Sequence, residues 1–150
     1  MINLLYGEAR QNVLTSRYPS TTEDVINLAG LALQSQGDYD TLRHPVGYLS
    51  SSDRWHYYVP ILLRKSLRVN VWEERILEAY SRNKGKSPIL ARTRYLEYVR
   101  KWAFYGNSFF PCCEFLPPGG YFEMRTQHLL FGVGADGVVL IDQEKHVFKT

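Results

Sequence analysis

Cysteine is nearly absent: Cys112 and Cys113 are the only two in 150 residues, and as neighbours they build no disulfide framework. No Asn-x-Ser/Thr acceptor occurs either. A reducing, intracellular setting is expected. Long apolar runs are missing, the longest being a few residues against the roughly 20 that span a bilayer. No basic-then-apolar leader follows Met1, so a soluble chain with no targeting segment is expected. Internal repeats and low-complexity stretches are lacking too. The residues that are present belong to a folded protein. At 45% hydrophobic and 22% charged, the composition excludes a disordered or collagen-like chain, and the length suits one full domain or one plus a remnant.

The net charge of +3 is too small to imply nucleic-acid binding, but it is unevenly spread. Between Arg64 and Lys101 eleven basic residues face four acids, so this stretch carries +7 and the remainder −4. A positive face is expected, built chiefly from Arg64, Lys65, Arg68, Arg82, Lys84 and Lys86, with head groups in water and stems over apolar surface. The competing reading is a solvated surface on which Glu73, Glu74, Glu78 and Glu97 neutralise these cations.

Ile2, Leu5, Tyr6, Ala9 and Val13 recur at spacings of three and four, which predicts a first helix of about four turns. Pro19 breaks the chain, and Ser20 or Thr21 with Glu23 or Asp24 reads as a capping box for a second helix. Its apolar stripe is Val25, Leu28, Ala29, Ala32 and Leu33, and Gly37-Asp38-Tyr39-Asp40 ends it. From Thr41 to Asn70 a long connection with short helical pieces is expected. Trp72 to Tyr80 reads as a short helix with Glu73 and Glu74 at its positive end. Lys84-Gly85-Lys86 is a loop. Ser87-Pro88 caps a fourth helix with Tyr95, Leu96, Val99, Trp102 and Ala103 on one stripe, ending near Ala103.

After Gly106 the grammar changes to short β-rich runs: Ser108 to Leu116, Tyr121 to Val133, Val138 to Ile141, and Val147-Phe148. Turns are expected at Pro117 to Gly120, Gly134 to Gly137 and Asp142 to Lys145. The fold class is therefore α+β, a helical bundle over 1–104 followed by an incomplete antiparallel β unit over 105–150. The strands near Phe131 and Val138 to Ile141, short of sheet partners, are expected to be less stable than the helices.

Candidate chemistry is sparse. Gly132, Gly134 and Gly137 spell G-x-G-x-x-G, but a dinucleotide site needs a helix after the third glycine, and Val138 to Ile141 is strand-like. A hairpin turn is expected there. Cys112 and Cys113, adjacent on a strand, point to opposite faces and do not share a metal. His44, His56, His128 and His146 are scattered without ligand spacing, and no nucleophile elbow, P-loop or H-E-x-x-H occurs. No enzyme, no cofactor and no metal is expected.

Several segments in order resemble the FERM domain family. Leu4-Leu5-Tyr6-Gly7-Glu8-Ala9-Arg10-Gln11-Asn12-Val13-Leu14, Leu31-Ala32-Leu33-Gln34 with Gly37-Asp38-Tyr39, and Tyr58-Val59-Pro60 are similar to its middle lobe. Tyr95-Leu96-Glu97-Tyr98 and Tyr105-Gly106-Asn107-Ser108-Phe109-Phe110 resemble the close of that lobe and the start of the third, and Leu130 to Asp142 resembles later strands of the third. Arg17-Tyr18-Pro19 and Glu144 to Val147 look most like a membrane-associated adaptor within the family.

The resemblance implies a middle lobe folded as an acyl-CoA-binding-protein-like helical bundle, followed by the start of a pleckstrin-homology-like (PH-like) lobe. The ubiquitin-like first lobe and the later third-lobe elements that hold head groups and receptor-tail peptides are missing, so a fragment is expected. The function implied is a non-enzymatic adaptor or scaffold, cytoplasmic and peripheral to the plasma membrane. Its expected partners are cytoplasmic tails of membrane proteins and an anionic lipid surface, not nucleic acid. The alternatives are an acyl-CoA or lipid carrier using the helical lobe and a small enzyme. In the adaptor reading Trp55, Tyr57, Tyr58, Trp72 and Trp102 fill the core, whereas a carrier needs an open apolar cleft.

Overall fold

The computed structural model describes residues 1–102, 104–116, 125–135, 137–142 and 147–149. They form two compact units, Met1–Trp102 and Ala103–Thr150. The first is helical and the second is a sheet, so the fold is α+β.

Helix α1 spans Ile2–Leu14 and buries Tyr6, Ala9 and Val13, the three- and four-residue spacing expected of one helical face. It lies against the fourth helix, α4, over Pro88–Arg100, where the Tyr6 and Tyr95 rings meet edge-on at 5.1 Å. Arg92 of α4 donates to the Asn3 side-chain oxygen at 2.7 Å, which bridges the two helices at the surface. Helix α2 spans Thr22–Gln34 and starts with a full capping box. The Thr21 hydroxyl accepts the Asp24 N–H at 3.2 Å, and the Asp24 carboxylate accepts the Thr21 N–H at 2.9 Å.

Beyond its expected stripe, α2 also buries Ile26, Gly30, Leu31 and Gln34. It is the central helix, with α3 (Val69–Arg82) and α4 both packed on it. Gly30 permits one of these contacts: a Cβ there would stand 2.7 Å from the Ala79 carbonyl carbon of α3. The two backbones approach too closely for a side chain at that point.

The connection after α2 holds two short 3-10 turns, Asp53–Tyr57 and Ile61–Leu63. Helix α3 spans Val69–Arg82, one turn longer at its start than the sequence predicts. Val69, Asn70 and Val71 have weak helix propensity, which hid that turn. Glu73 and Glu74 consequently sit in the second turn, outside the reach of the helix N-terminus, and the expected dipole role is withdrawn. Helix α4 opens as expected, with Pro88 in its first turn and the Ser87 hydroxyl accepting the Leu90 N–H at 3.2 Å. It stops at Arg100, so Trp102 packs from beyond the helix, edge-on to Tyr18 and Tyr98.

The core prediction needs one correction among the aromatics. Trp72 and Tyr58 are buried, Trp55 and Trp102 are half-buried, and Tyr57 is 67% exposed at the end of its 3-10 turn. Tyr57 ends the turn while Tyr58 caps it in a different backbone conformation, at φ −123°, and the two adjacent rings face different sides.

The second unit is an antiparallel meander of β1 (Ser108–Leu116), β2 (Arg125–Gly134), β3 (Gly137–Asp142) and β4 (Val147–Lys149), in that spatial order. Gly134 pairs with Gly137, which makes the β2–β3 link a two-residue hairpin, and Gly137 has φ +123°. Phe109, Gly132 and Val139 lie in one cross-strand row. A Cβ on Gly132 would stand 2.9 Å from the Phe109 ring and 2.8 Å from a Val139 methyl, so glycine leaves room for both neighbours. The expected strand start at Tyr121 and the turns at Pro117 to Gly120 and Gln143 to Lys145 lie outside the described residues.

Candidate functional site

The six basic residues singled out by sequence fall into two trios at the two ends of α3. Arg64, Lys65 and Arg68 precede the helix, and Arg82, Lys84 and Lys86 close or follow it. The rise along its 14 residues separates the trios by about 21 Å. Lys65, Arg68, Arg82 and Lys84 are exposed. Arg64 is half-buried, its guanidinium donating to the carbonyls of Val59 and His56 at 3.2 Å each, so it ties the 3-10 turns together. Lys86 is half-buried and its backbone carbonyl accepts the Gln34 amide at 2.7 Å.

Between the trios, the exposed positions of α3 are Asn70, Glu74, Glu78 and Arg82, four residues apart on one line. Two acids therefore lie between the basic groups. Among the described residues the ion pairs are Arg75–Glu23 and Arg94–Glu97, and neither uses a member of the trios. Of the four glutamates expected to neutralise the surface, Glu97 is engaged by Arg94, and Glu73 does something else.

Glu73 is 3% exposed and faces the preceding loop. Its carboxylate accepts the N–H groups of Gly47 and Leu49 at 2.7 Å each and of Ser50 at 2.8 Å, and the Ser50 hydroxyl donates at 3.0 Å. Burial works to raise the carboxyl pKa, but these donors outweigh it and hold the group below its ordinary value. The arrangement is a buried anchor fastening the loop to α3. The sequence held a signal for it: Glu73 stands four residues after Val69 and three before Ile76, inside the apolar stripe of the helix.

A second polar cluster was not visible in the sequence. The fully buried Tyr80 hydroxyl donates to the Asp38 carbonyl at 3.1 Å and accepts the Asp40 N–H at 3.1 Å. His44 Nδ1 lies 3.0 Å from the same oxygen; with the tyrosine proton committed to Asp38, the network assigns the donor role to Nδ1–H. Burial, then the neighbouring Arg43, lowers the His44 pKa, with Asp40 opposing. Burial raises that of Tyr80. The Asp38 carboxylate accepts from Gln34, Gly85 and Tyr39, which lower its pKa, with a smaller contribution from the charge of Lys84. Both clusters hold loops in place.

The glycine motif opens strand β3 at Gly137, so the hairpin reading stands and the phosphate-cradling one is set aside. Cys112 and Cys113 lie on β1, opposite Leu129 and His128. His146 and the Glu144 to His146 stretch lie outside the described residues. Among the described residues no group of three His, Cys, Asp or Glu side chains is placed to hold a metal ion, and no helix is long and apolar enough to cross a membrane.

Known proteins resemble this chain in sequence and in fold. The chain is 26% identical over 145 residues to FERM domain-containing protein B of Dictyostelium discoideum, covering 95% of this chain and 30% of that protein. It is 29% identical over 151 residues to talin of Oscarella pearsei, covering 99% of this chain and 6% of that one. The chain thus spans less than a third of the length of these curated relatives. Among solved structures, the human myosin 7b C-terminal MyTH4-FERM domain in complex with the harmonin-a PDZ3 domain superposes with a TM-score of 0.75 at 24% identity, covering 97% of this chain and 28% of that one. The family profile described as FERM central domain matches residues 1–110, which takes in the whole helical unit, and the chain therefore belongs to the FERM central domain family.

Proposed function

We propose that this chain is part of a non-enzymatic FERM adaptor, cytoplasmic and peripheral to the plasma membrane. In this reading residues 1–104 are the middle lobe and residues 105–150 are the first strands of the PH-like third lobe. The lobe would connect the cytoplasmic tails of membrane proteins, or the membrane surface itself, to cytoplasmic partner proteins. The observation that carries the reading is the match of the FERM central domain to the entire helical unit. The myosin 7b neighbour, solved with a harmonin PDZ domain, illustrates partner binding by a FERM-containing module.

The direct contribution of this chain would be electrostatic. Lys65, Arg68, Arg82 and Lys84 are exposed, and near an anionic leaflet each basic side chain gains on the order of 1 kcal/mol. Glu74 and Glu78 between them limit the effect, and screening by salt weakens it further. The carrier reading gains no support from the packing, because Trp72, Tyr80, Ile26, Leu28 and Leu33 fill the centre of the bundle.

Calorimetric titration separates these readings. The adaptor predicts saturable binding of synthetic receptor-tail peptides to the chain joined to its flanking lobes, and no stoichiometric heat with palmitoyl-CoA. One-to-one palmitoyl-CoA binding without peptide binding would replace the adaptor with the carrier.

A further inference from the structure

The Ser50 hydroxyl donates to Glu73 at the edge of the buried anchor. We propose that Ser50 is a phosphorylation site for an acid-directed serine/threonine kinase, and that its phosphate releases the Gly47–Ser52 loop from the buried Glu73 anchor.

Three observations converge on this serine. Ser50 is exposed although its hydroxyl donates to Glu73 Oε1 at 3.0 Å, so the oxygen lies at the boundary between solvent and anchor. In Ser50-Ser51-Ser52-Asp53-Arg54-Trp55, only Ser50 has an acid three residues ahead; Ser51 has Arg54 there and Ser52 has Trp55. Kinases that select substrates by charge pattern can therefore tell Ser50 from its neighbours. Finally, the anchor gathers four hydrogen bonds from the loop on a single carboxylate. Gly47, Leu49 and Ser50 give it three backbone N–H groups, and Leu49 is the loop's fully buried apolar residue.

The chemistry balances with ATP as the phosphoryl donor. The Ser50 oxygen forms a bond to the γ-phosphorus, the bond from that phosphorus to the β–γ bridging oxygen breaks, ADP leaves, and the hydroxyl proton passes to the base of the kinase. The hydroxyl must first leave Glu73, so modification proceeds from a locally opened loop. Once formed, the phosphate cannot return to the same place. It has lost the donor proton, and it brings between −1.5 and −2 charges, roughly, against a carboxylate that is itself ionised and buried. Repulsion then favours the open loop, with Leu49 uncovered.

The test treats the 150-residue chain with an acid-directed serine/threonine kinase and ATP, maps the phosphate by mass spectrometry, and follows amide exchange. The proposal expects the phosphate on Ser50, none on Ser50→Ala, and exchange of the Gly47, Leu49 and Ser50 amides accelerated about tenfold or more while α1 stays unchanged. In Glu73→Gln the like charge is gone, and phosphorylation should add less than about threefold. Phosphate confined to Ser51 or Ser52, a phosphorylated Ser50 with unchanged loop exchange, or an undiminished response in Glu73→Gln would each overturn it.

Discussion

Glu73 Oε2 accepts the backbone N–H of Leu49 at 2.7 Å, and through this bond a helix holds a loop residue 24 positions upstream that has no regular structure of its own. Truncation at Glu73 leaves three backbone donors and a hydroxyl without their acceptor, at roughly 1–3 kcal/mol for each donor that stays buried. Glu73→Ala is expected to destabilise the helical unit by about 3 kcal/mol or more in urea unfolding, and Glu73→Gln by less because one oxygen still accepts. A Glu73→Ala loss under about 1 kcal/mol would mean that water replaces the carboxylate freely.

The same carboxylate sets an acid limit. Its folded pKa lies below the ordinary 4.5, so the folded chain binds its proton less readily than the unfolded one. The stabilisation is therefore complete above that value and is lost as pH falls through the lower folded value. Melting temperature followed from pH 5 downward should fall more steeply for the native chain than for Glu73→Gln.

His44 acts in a different window. Burial keeps it neutral, with Tyr80 and Tyr48 against its ring, Arg43 disfavouring the charge and Asp40 favouring it. Below its ordinary value of 6.5 the unfolded chain takes up a proton that the folded chain refuses, so stability declines with acidification from that point until the lowered folded pKa is passed. His44→Gln should flatten the stability profile between neutrality and pH 5. Equal slopes would show that the imidazole is not kept neutral by the fold.

Two glycines on helices should respond to alanine with opposite signs. At Gly30 the new methyl meets the backbone of Ala79 and Tyr80 at 2.7 to 2.9 Å, and forcing α2 from α3 is expected to cost about 1–3 kcal/mol despite the better helix propensity. At Gly7, with nothing within 4 Å, the propensity acts alone and Gly7→Ala should stabilise by about 0.5–1 kcal/mol. Chemical denaturation of the two variants reads both numbers.

Much of this fold was legible because its signals are local. Thr21 with Asp24, and Ser87 with Pro88, announce helix starts within four residues, and the glycines at 134 and 137 announce a hairpin between two short apolar runs. The first turn of α3 was not legible, since Val69, Asn70 and Val71 favour other conformations and only packing holds them helical. Glu73 was legible only as an acid inside an apolar stripe; what it holds was hidden, because its partners lie 23 to 26 residues away in a stretch without periodicity. The basic residues were legible as a charge imbalance, but their division into two trios depends on the true length of α3. Tyr57 and Tyr58 show the same limit, because composition alone does not say which of two adjacent rings turns inward.

The membrane-facing part of the adaptor account is tested most directly by co-sedimentation of the chain with anionic phosphatidylserine vesicles and with neutral phosphatidylcholine vesicles, at low and at physiological salt. The account predicts sedimentation with the anionic vesicles alone, weakened as salt rises, and reduced when Lys65, Arg68, Arg82 and Lys84 are changed to glutamate. Equal sedimentation with both lipids, or none with either, would contradict it and leave the two trios as solvated surface.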